Sequence, residues 1–303
     1  MLTKLKDYSK LMLNRIPPVK RYLKELDLQR KFSVELDLIK GSHQNQNKHP
    51  SIIHFSLNKA ATQYTGGILQ QCAVENGMVP VSIHGYAFHT IFPYLDHLTA
   101  EEMEKYQHIF KPNGYLYSVF GGMIEGISEL EKYKIVLMIR DFRDVLVSEY
   151  YSTAHSHIAP DKQGNKYEIF VKQRKKAKES SIDEYAVVES DRVYNTLQRY
   201  KTSLIDKYPN VYVTKYEEMI NDFRDWLDKL LFYCDLNIGE EHFSALLEKN
   251  GRIRPKYEDI QKHVRKGKSG EYKEKLKKKT IEYLNAKFSP LLLTFGYKLD
   301  GVH

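Results

Sequence analysis

Two cysteines, one tryptophan and no long apolar run are the scarcities of this 303-residue chain. Cys72 and Cys234 cannot build a disulfide framework, and no metal-type Cys/His spacing accompanies them. No stretch of 18 apolar residues occurs, so nothing reads as a membrane span. The N-terminus shows neither an apolar signal core nor a small-residue cleavage site. A reducing cytoplasm is therefore the expected compartment. A Gly-x-x-x-x-Gly-Lys-Ser/Thr loop is also missing, so a Mg-ATP site has no support and no metal is expected. No internal repeat of 20–50 residues is evident.

What is present is positive charge, a formal net of +8. Such an excess favours anionic partners such as nucleotides, acidic glycans, nucleic acid or lipid head groups, without choosing among them. Residues 1–50 read as a helical, basic leader followed by a polar linker. Val19, Tyr22, Leu23 and Leu26 lie on one helical face, and 41–50 is polar. Three uses of the leader stay open: packing on the core, pairing with another subunit, or resting on a membrane surface, which would make the protein peripheral to a membrane.

From 51 to 298 strands and helices alternate. Ile52–Phe55, Val79–His84, Tyr115–Val119, Ile135–Ile139 and Val211–Thr214 read as strands. Helices are expected over Thr62–Glu75, with Gly77 as a stop, from Arg143 onward, and over Asp183–Lys207. Phe223, Leu227, Leu230, Leu231 and Cys234 mark one more helix face. The fold class is α/β: a central parallel sheet flanked by helices, in a P-loop-like nucleotide-binding architecture. Ligands of such sheets bind beyond the carboxyl ends of the strands. Ser152 to Lys166 reads as an exposed loop, and Lys172, Arg174, Lys175, Lys176 and Lys178 continue it as a basic stretch beside the site.

Two segments carry the chemistry. In the first, a buried strand ends at Asn58-Lys59-Ala60-Ala61-Thr62-Gln63-Tyr64 and turns into a helix. In the second, Ile135–Ile139 ends at Arg140-Asp141-Phe142-Arg143-Asp144-Val145-Leu146-Val147-Ser148 and does the same. A helix N-terminus presents unpaired amides and a positive dipole end to an anion. A lysine is electrostatically misplaced at such a start unless it has an anion to meet. Two such sites in one domain suit a ligand with two separate phosphate groups.

These segments, with Arg265-Lys266-Gly267-Lys268-Ser269-Gly270-Glu271-Tyr272-Lys273 near the C-terminus, resemble the sulfotransferases that use 3′-phosphoadenosine 5′-phosphosulfate (PAPS). The resemblance covers roughly residues 50–298. It implies transfer of a sulfuryl group from PAPS to a hydroxyl acceptor, a small molecule or a glycan, and the basic stretch at 162–178 points to an anionic or carbohydrate one. Lys59, Ala60, Ala61, Thr62 and Gln63 would hold the 5′-phosphosulfate, and Lys59 would stabilise charge on the leaving oxygen. Arg140 and Ser148 would grip the 3′-phosphate, aided by Arg265, Lys266 and Gly267. Tyr64 and Tyr216 match positions near adenine, although Tyr216 reads equally as a core tyrosine. Ala60-Ala61 replaces the family's Ser-Gly pair. For Arg143 and Asp144 a local pair capping the helix is expected.

The catalytic base is less defined. The family's histidine at the end of the strand before Arg140 is absent from Tyr117-Ser118-Val119-Phe120-Gly121-Gly122. His84 and His89, near the second strand, and His155 and His157, after the Ser148 helix, are the candidates. His157 comes first, because that helix end should face the acceptor. Glu125 or Glu149 would serve if no histidine does. A competing reading is a non-catalytic nucleotide- or polyanion-binding protein on the same scaffold. Nucleic acid is disfavoured, since the basic residues gather at motif loops rather than along one surface.

Overall fold

The computed structural model describes residues 17–160, 165–253 and 267–299. The chain divides into two compact units, Met1–Gln44 and Asn45–His303. In the first, helices α1 (Pro17–Lys31) and α2 (Ser33–Ile39) follow one another. Leu23 and Leu26 are half-buried, whereas Tyr22 on the same face is exposed.

The second unit is built on five parallel strands, β1 (Ile52–Ser56), β2 (Val79–Val81), β3 (Tyr115–Phe120), β4 (Lys134–Ile139) and β5 (Val211–Lys215). Their order is β2-β3-β1-β4-β5. The central position of β1 explains its burial at all five residues, and Ile135 to Ile139 of β4 are buried in the same way. β1 pairs with β4 from Ile52↔Lys134 to Ser56↔Met138, so the two strands end side by side. The chain leaves β1 toward β2 and β4 toward β5, in opposite directions along the sheet. Right-handed crossovers then carry the two following helices to opposite faces, which opens a crevice beyond β1 and β4.

α3 (Thr62–Glu75) ends as expected at Gly77, whose φ of 68° suits glycine. Gly77 N donates to the Val74 carbonyl (3.0 Å) and Met78 N to that of Ala73 (2.9 Å), a Schellman closure. Near its start, Gly66 lets α3 approach β3: a Cβ there would lie 3.0 Å from Ser118 Oγ. α9 (Phe223–Cys234) buries the expected face and adds Trp226, whose indole donates to Thr214 Oγ1 at 2.7 Å. Each such fully buried large apolar side chain contributes about 1.5–3 kcal/mol.

Three expectations need correction. The second strand stops at Val81, and 83–89 is helix α4 (Ile83–His89), so His84 is helical. β2 is an edge strand whose pairing to β3 ends at Val81↔Tyr117, and Pro80 tolerates only such an edge. The long helix is α7 (Ile182–Tyr200), capped by a Ser181–Glu184 box; it passes into a wider turn over Lys201–Ile205 rather than reaching Lys207. The basic stretch after Ser152 is not loop but helix α6 (Lys166–Glu179). It buries only Phe170 and Ala177, two turns apart. Arg174 lies over the Phe170 ring (4.5 Å) and donates to the Thr153 carbonyl (3.0 Å).

Candidate active site

Beyond β1, Leu57 N still donates to the Met138 carbonyl (2.8 Å), tying the first loop to β4. Ala60 N then donates to Leu57 O at 3.0 Å. This tight turn needs left-handed backbone at Lys59 (φ 70°) and Ala61 (φ 60°), each a strain of about 1–3 kcal/mol. Ala60 is fully buried with its amide engaged, so the anion-facing amides are those of Thr62, Gln63 and Tyr64 in the first turn of α3, where a helix supplies no acceptor. The Thr62 hydroxyl meets Ser56 Oγ (2.9 Å) and the Leu57 carbonyl (3.3 Å), which fixes the helix start to the strand end.

The half-buried Lys59 ammonium donates to Ser152 Oγ at 2.8 Å. Burial lowers its pKa, Glu149 raises it and Arg140 lowers it. Ser152 directly follows α5 (Phe142–Tyr151), one turn after Ser148 and two after Asp144, so the three share a helix face. Ser152 was not anticipated; its i+4 spacing from Ser148 is the signal that points to it.

Arg140, 5% exposed, links the parts. Its Nη1 donates to the Lys59 carbonyl (3.2 Å) and its Nη2 to the Lys268 carbonyl (3.0 Å). Asp144 (3.7 Å) and Glu271 (3.8 Å) flank it, and the guanidinium lies 4.3 Å over the Tyr216 ring. Its Nε is buried without a partner. Tyr216 is nearly buried at the start of α8 (Tyr216–Asn221), packed under Arg140. Burial pushes the Asp144 carboxyl up to about 6, against the pull of Arg140, so it is still mostly ionised at pH 7 beside that cation. The same carboxyl accepts from Gly270 N (2.6 Å) and Tyr272 N (2.9 Å), pinning the C-terminal segment to α5. Gly267 is left-handed (φ 64°) at the entry to this segment, while Arg265 and Lys266 lie outside the described residues.

The expected Arg143–Asp144 pair is not formed. Arg143 pairs with Asp141 (2.6 Å) and donates to Asn285 (2.7 Å), and Asp141 is the cap, accepting from Arg143 N (3.0 Å). With Asp144 turned to the Gly270 amide, each residue has a separate structural task.

Tyr64 donates to Asn250 Oδ1 (2.9 Å) and borders a shallow groove lined by Gly67, Gln71, Leu246 and Lys249, between α3 and α10 (Glu240–Ile253). The histidines scatter. His157 is exposed, its ring 6.0 Å from that of Phe170 and its carbonyl held by Arg174. His155 is half-buried in the turn Ser152–Ser156. His89 closes α4, edge-on to Phe88 (5.1 Å). His84 faces Asp96, with Nδ1 3.9 Å from Oδ1. Both alternative carboxylates are engaged, Glu125 by Arg199 (3.0 Å) and Glu149 by Arg192.

This geometry fits a nucleotide with two separated phosphate groups: three free helix amides, two partly desolvated cations at adjacent strand ends, and an orphaned guanidinium nitrogen. The Sulfotransferase domain family matches residues 124–296, more than half of the chain. The chain belongs to the sulfotransferase-domain family. The matched region holds Arg140, Ser148, Ser152, Tyr216 and Gly267; the Lys59 loop precedes it. No curated protein matches by sequence. Among solved structures, mouse sulfotransferase SULT7A1 complexed with PAP is similar at 14% identity, with 84% of this chain and 89% of that chain covered and a TM-score of 0.52. At that identity the likeness shows the fold. Sulfotransferase STF9 from Mycobacterium avium is more distant, at 10% identity over 90% of this chain and 82% of that one, with a TM-score of 0.46. Among the described residues this sulfotransferase-domain chain has no helix long and apolar enough to cross a membrane and no group of three or more metal-ligating side chains.

Proposed function

We propose that this chain transfers the sulfuryl group of PAPS to an acceptor hydroxyl, with Lys59 and Arg140 at its two phosphate positions. The supporting observation is their meeting at adjacent strand ends, Arg140 Nη1 donating to the Lys59 carbonyl at 3.2 Å. Bound there, PAPS supplies an activated sulfuryl group whose leaving oxygen gains negative charge. The amides of Thr62, Gln63 and Tyr64 would hold the 5′ side. Lys59 would stabilise the growing charge, a preorganised contribution that needs little rearrangement because Ser152 already orients the ammonium. Arg140 and Ser148, with Arg265, Lys266 and Gly267, would hold the 3′-phosphate. Tyr64 and Tyr216 are the aromatic residues for the adenine side.

The acceptor is a small-molecule or glycan hydroxyl. A cytoplasmic setting is supported by Cys72 and Cys234, both free and buried. Residues 1–50 serve as a leader to the catalytic domain 51–298. The competing reading, binding without catalysis, draws on the Ala60-Ala61 pair and on the Gly121-Gly122 that follows β3, where no histidine stands. Transfer of label from [35S]PAPS to a mixture of phenolic, alkyl and sugar hydroxyls separates the two. Labelled acceptor that disappears in Lys59→Ala supports the enzyme. Nucleotide binding without any transfer supports the binder.

A further inference from the structure

Just past the end of β3 a side chain would be crowded, and what crowds it leads to a specific histidine. A Cβ on Gly121 would lie 3.0 Å from Asn58 Oδ1, the residue next to Lys59. A Cβ on Gly122 would lie 3.1 Å from Asp96 Oδ2. Asp96, 4% exposed in the short turn Leu95–His97, therefore occupies the strand end beside the Lys59 loop. Its other oxygen, Oδ1, is buried without a hydrogen-bond partner, and so is His84 Nδ1, which faces it at 3.9 Å. The His84 side chain as a whole is 36% exposed, so its accessible surface lies away from the buried Nδ1.

The dyad is held from several sides. Arg199 donates to the Asp96 carbonyl (3.3 Å) and to that of Met123 (3.1 Å). The His84 ring packs on Tyr94 at 4.6 Å. Lys166 of α6 donates to the carbonyls of Ala87 (2.6 Å) and Thr90 (3.2 Å) and lies over Tyr94 (4.3 Å), which fixes α4. An imidazole with one nitrogen toward a buried carboxylate and a partly exposed ring can act as a general base through its other nitrogen.

We propose that His84 is the general base of the sulfuryl transfer and that Asp96 positions its ring. The proposal rests on the sulfotransferase reading above. The acceptor O–H bond breaks, its proton going to His84 Nε2 and its electron pair to the new O–S bond. The S–O bond to the 5′-phosphate breaks and leaves its pair on the phosphate. The imidazolium so formed draws Nδ1–H toward Asp96 Oδ1 and closes the 3.9 Å gap. Burial lowers the His84 pKa first, Asp96 raises it, and His97 and Lys166 lower it, so the resting ring is neutral and ready to accept a proton at pH 7.

The test compares wild type, His84→Ala, His84→Gln and Asp96→Asn. [35S]PAPS turnover is measured with 2-naphthol and with water as acceptors, and adenosine 3′,5′-bisphosphate binding by calorimetry. The His84 ring is titrated by NMR in the free protein. Both His84 variants should lose about 100-fold or more in turnover and keep nucleotide affinity within about twofold, which also shows that they fold. Asp96→Asn should move the His84 midpoint to lower pH, since it removes the one charge that raises it. Near-normal turnover in His84→Gln, or an unmoved midpoint in Asp96→Asn, overturns the proposal. Wild type that binds the nucleotide yet moves no sulfuryl group to either acceptor overturns the base and leaves the nucleotide site standing. Wild type that does not bind the nucleotide overturns the reading beneath both.

Discussion

The ammonium of Lys59 donates to the hydroxyl of Ser152 at 2.8 Å, across 93 residues of sequence. That contact joins the loop after β1 to the end of the helix after β4, and it explains how a desolvated lysine keeps one orientation. Ser152 shares its helix face with Asp144, which lies 3.7 Å from Arg140. The two cations are thus held by one helix.

Lys59→Ala should lower turnover by about 100-fold or more, the scale of removing one preorganised charge stabiliser, with a smaller loss in affinity for the desulfated nucleotide. Steady-state kinetics with PAPS, paired with calorimetry, check this. A variant that raises only the Michaelis constant would make Lys59 a binding residue.

Ala61→Gly should stabilise the protein by about 1 kcal/mol, because φ 60° strains alanine but not glycine. Thermal unfolding should show a midpoint higher by about 2 °C. A lower midpoint would mean that the alanine methyl contributes packing that outweighs the strain.

His54, fully buried in β1, has its pKa lowered to about 3 by burial, against about 6.5 when unfolded. Its native site therefore favours the neutral ring. The resulting stability is fully present above about pH 6.5 and is lost as pH falls toward 3. Asp144 has the opposite sign: its native pKa of about 6 exceeds an unfolded value of about 3.8, so its contribution falls as pH rises through that window. His54→Gln should flatten the decline between pH 7 and 5, measured by urea unfolding at each pH. An unchanged slope would show that His54 is not the group responsible.

Much of this architecture was legible. The apolar run Ile135–Ile139 and the two strand ends at Lys59 and Arg140 rest on local patterns that the sheet leaves intact. α3 follows its expected span from Thr62 to Glu75, because its caps are local. What was hidden depends on distant partners. The second strand ended early because pairing at the sheet edge stops at Tyr117, which no window around His84 reveals. The lysine density of 172–178 hid a helix that buries just two side chains, and periodicity needs more than that. Asp141 rather than Asp144 caps α5, because Asp144 is drawn to amides 126 and 128 residues away. Ser152 has only its i+4 spacing from Ser148 to mark it and Asp96 has no motif at all; the fold brings them to Lys59 and His84.

The account stands or falls on recognition of a 3′-phosphate beside Arg140. Isothermal titration with adenosine 3′,5′-bisphosphate and with AMP measures it directly. Charge-assisted bonds to a desolvated phosphate predict a preference of about 30-fold or more for the bisphosphate, and Arg140→Ala should erase it. Equal affinity for the two nucleotides in the wild type, or an undiminished preference in Arg140→Ala, would contradict the account.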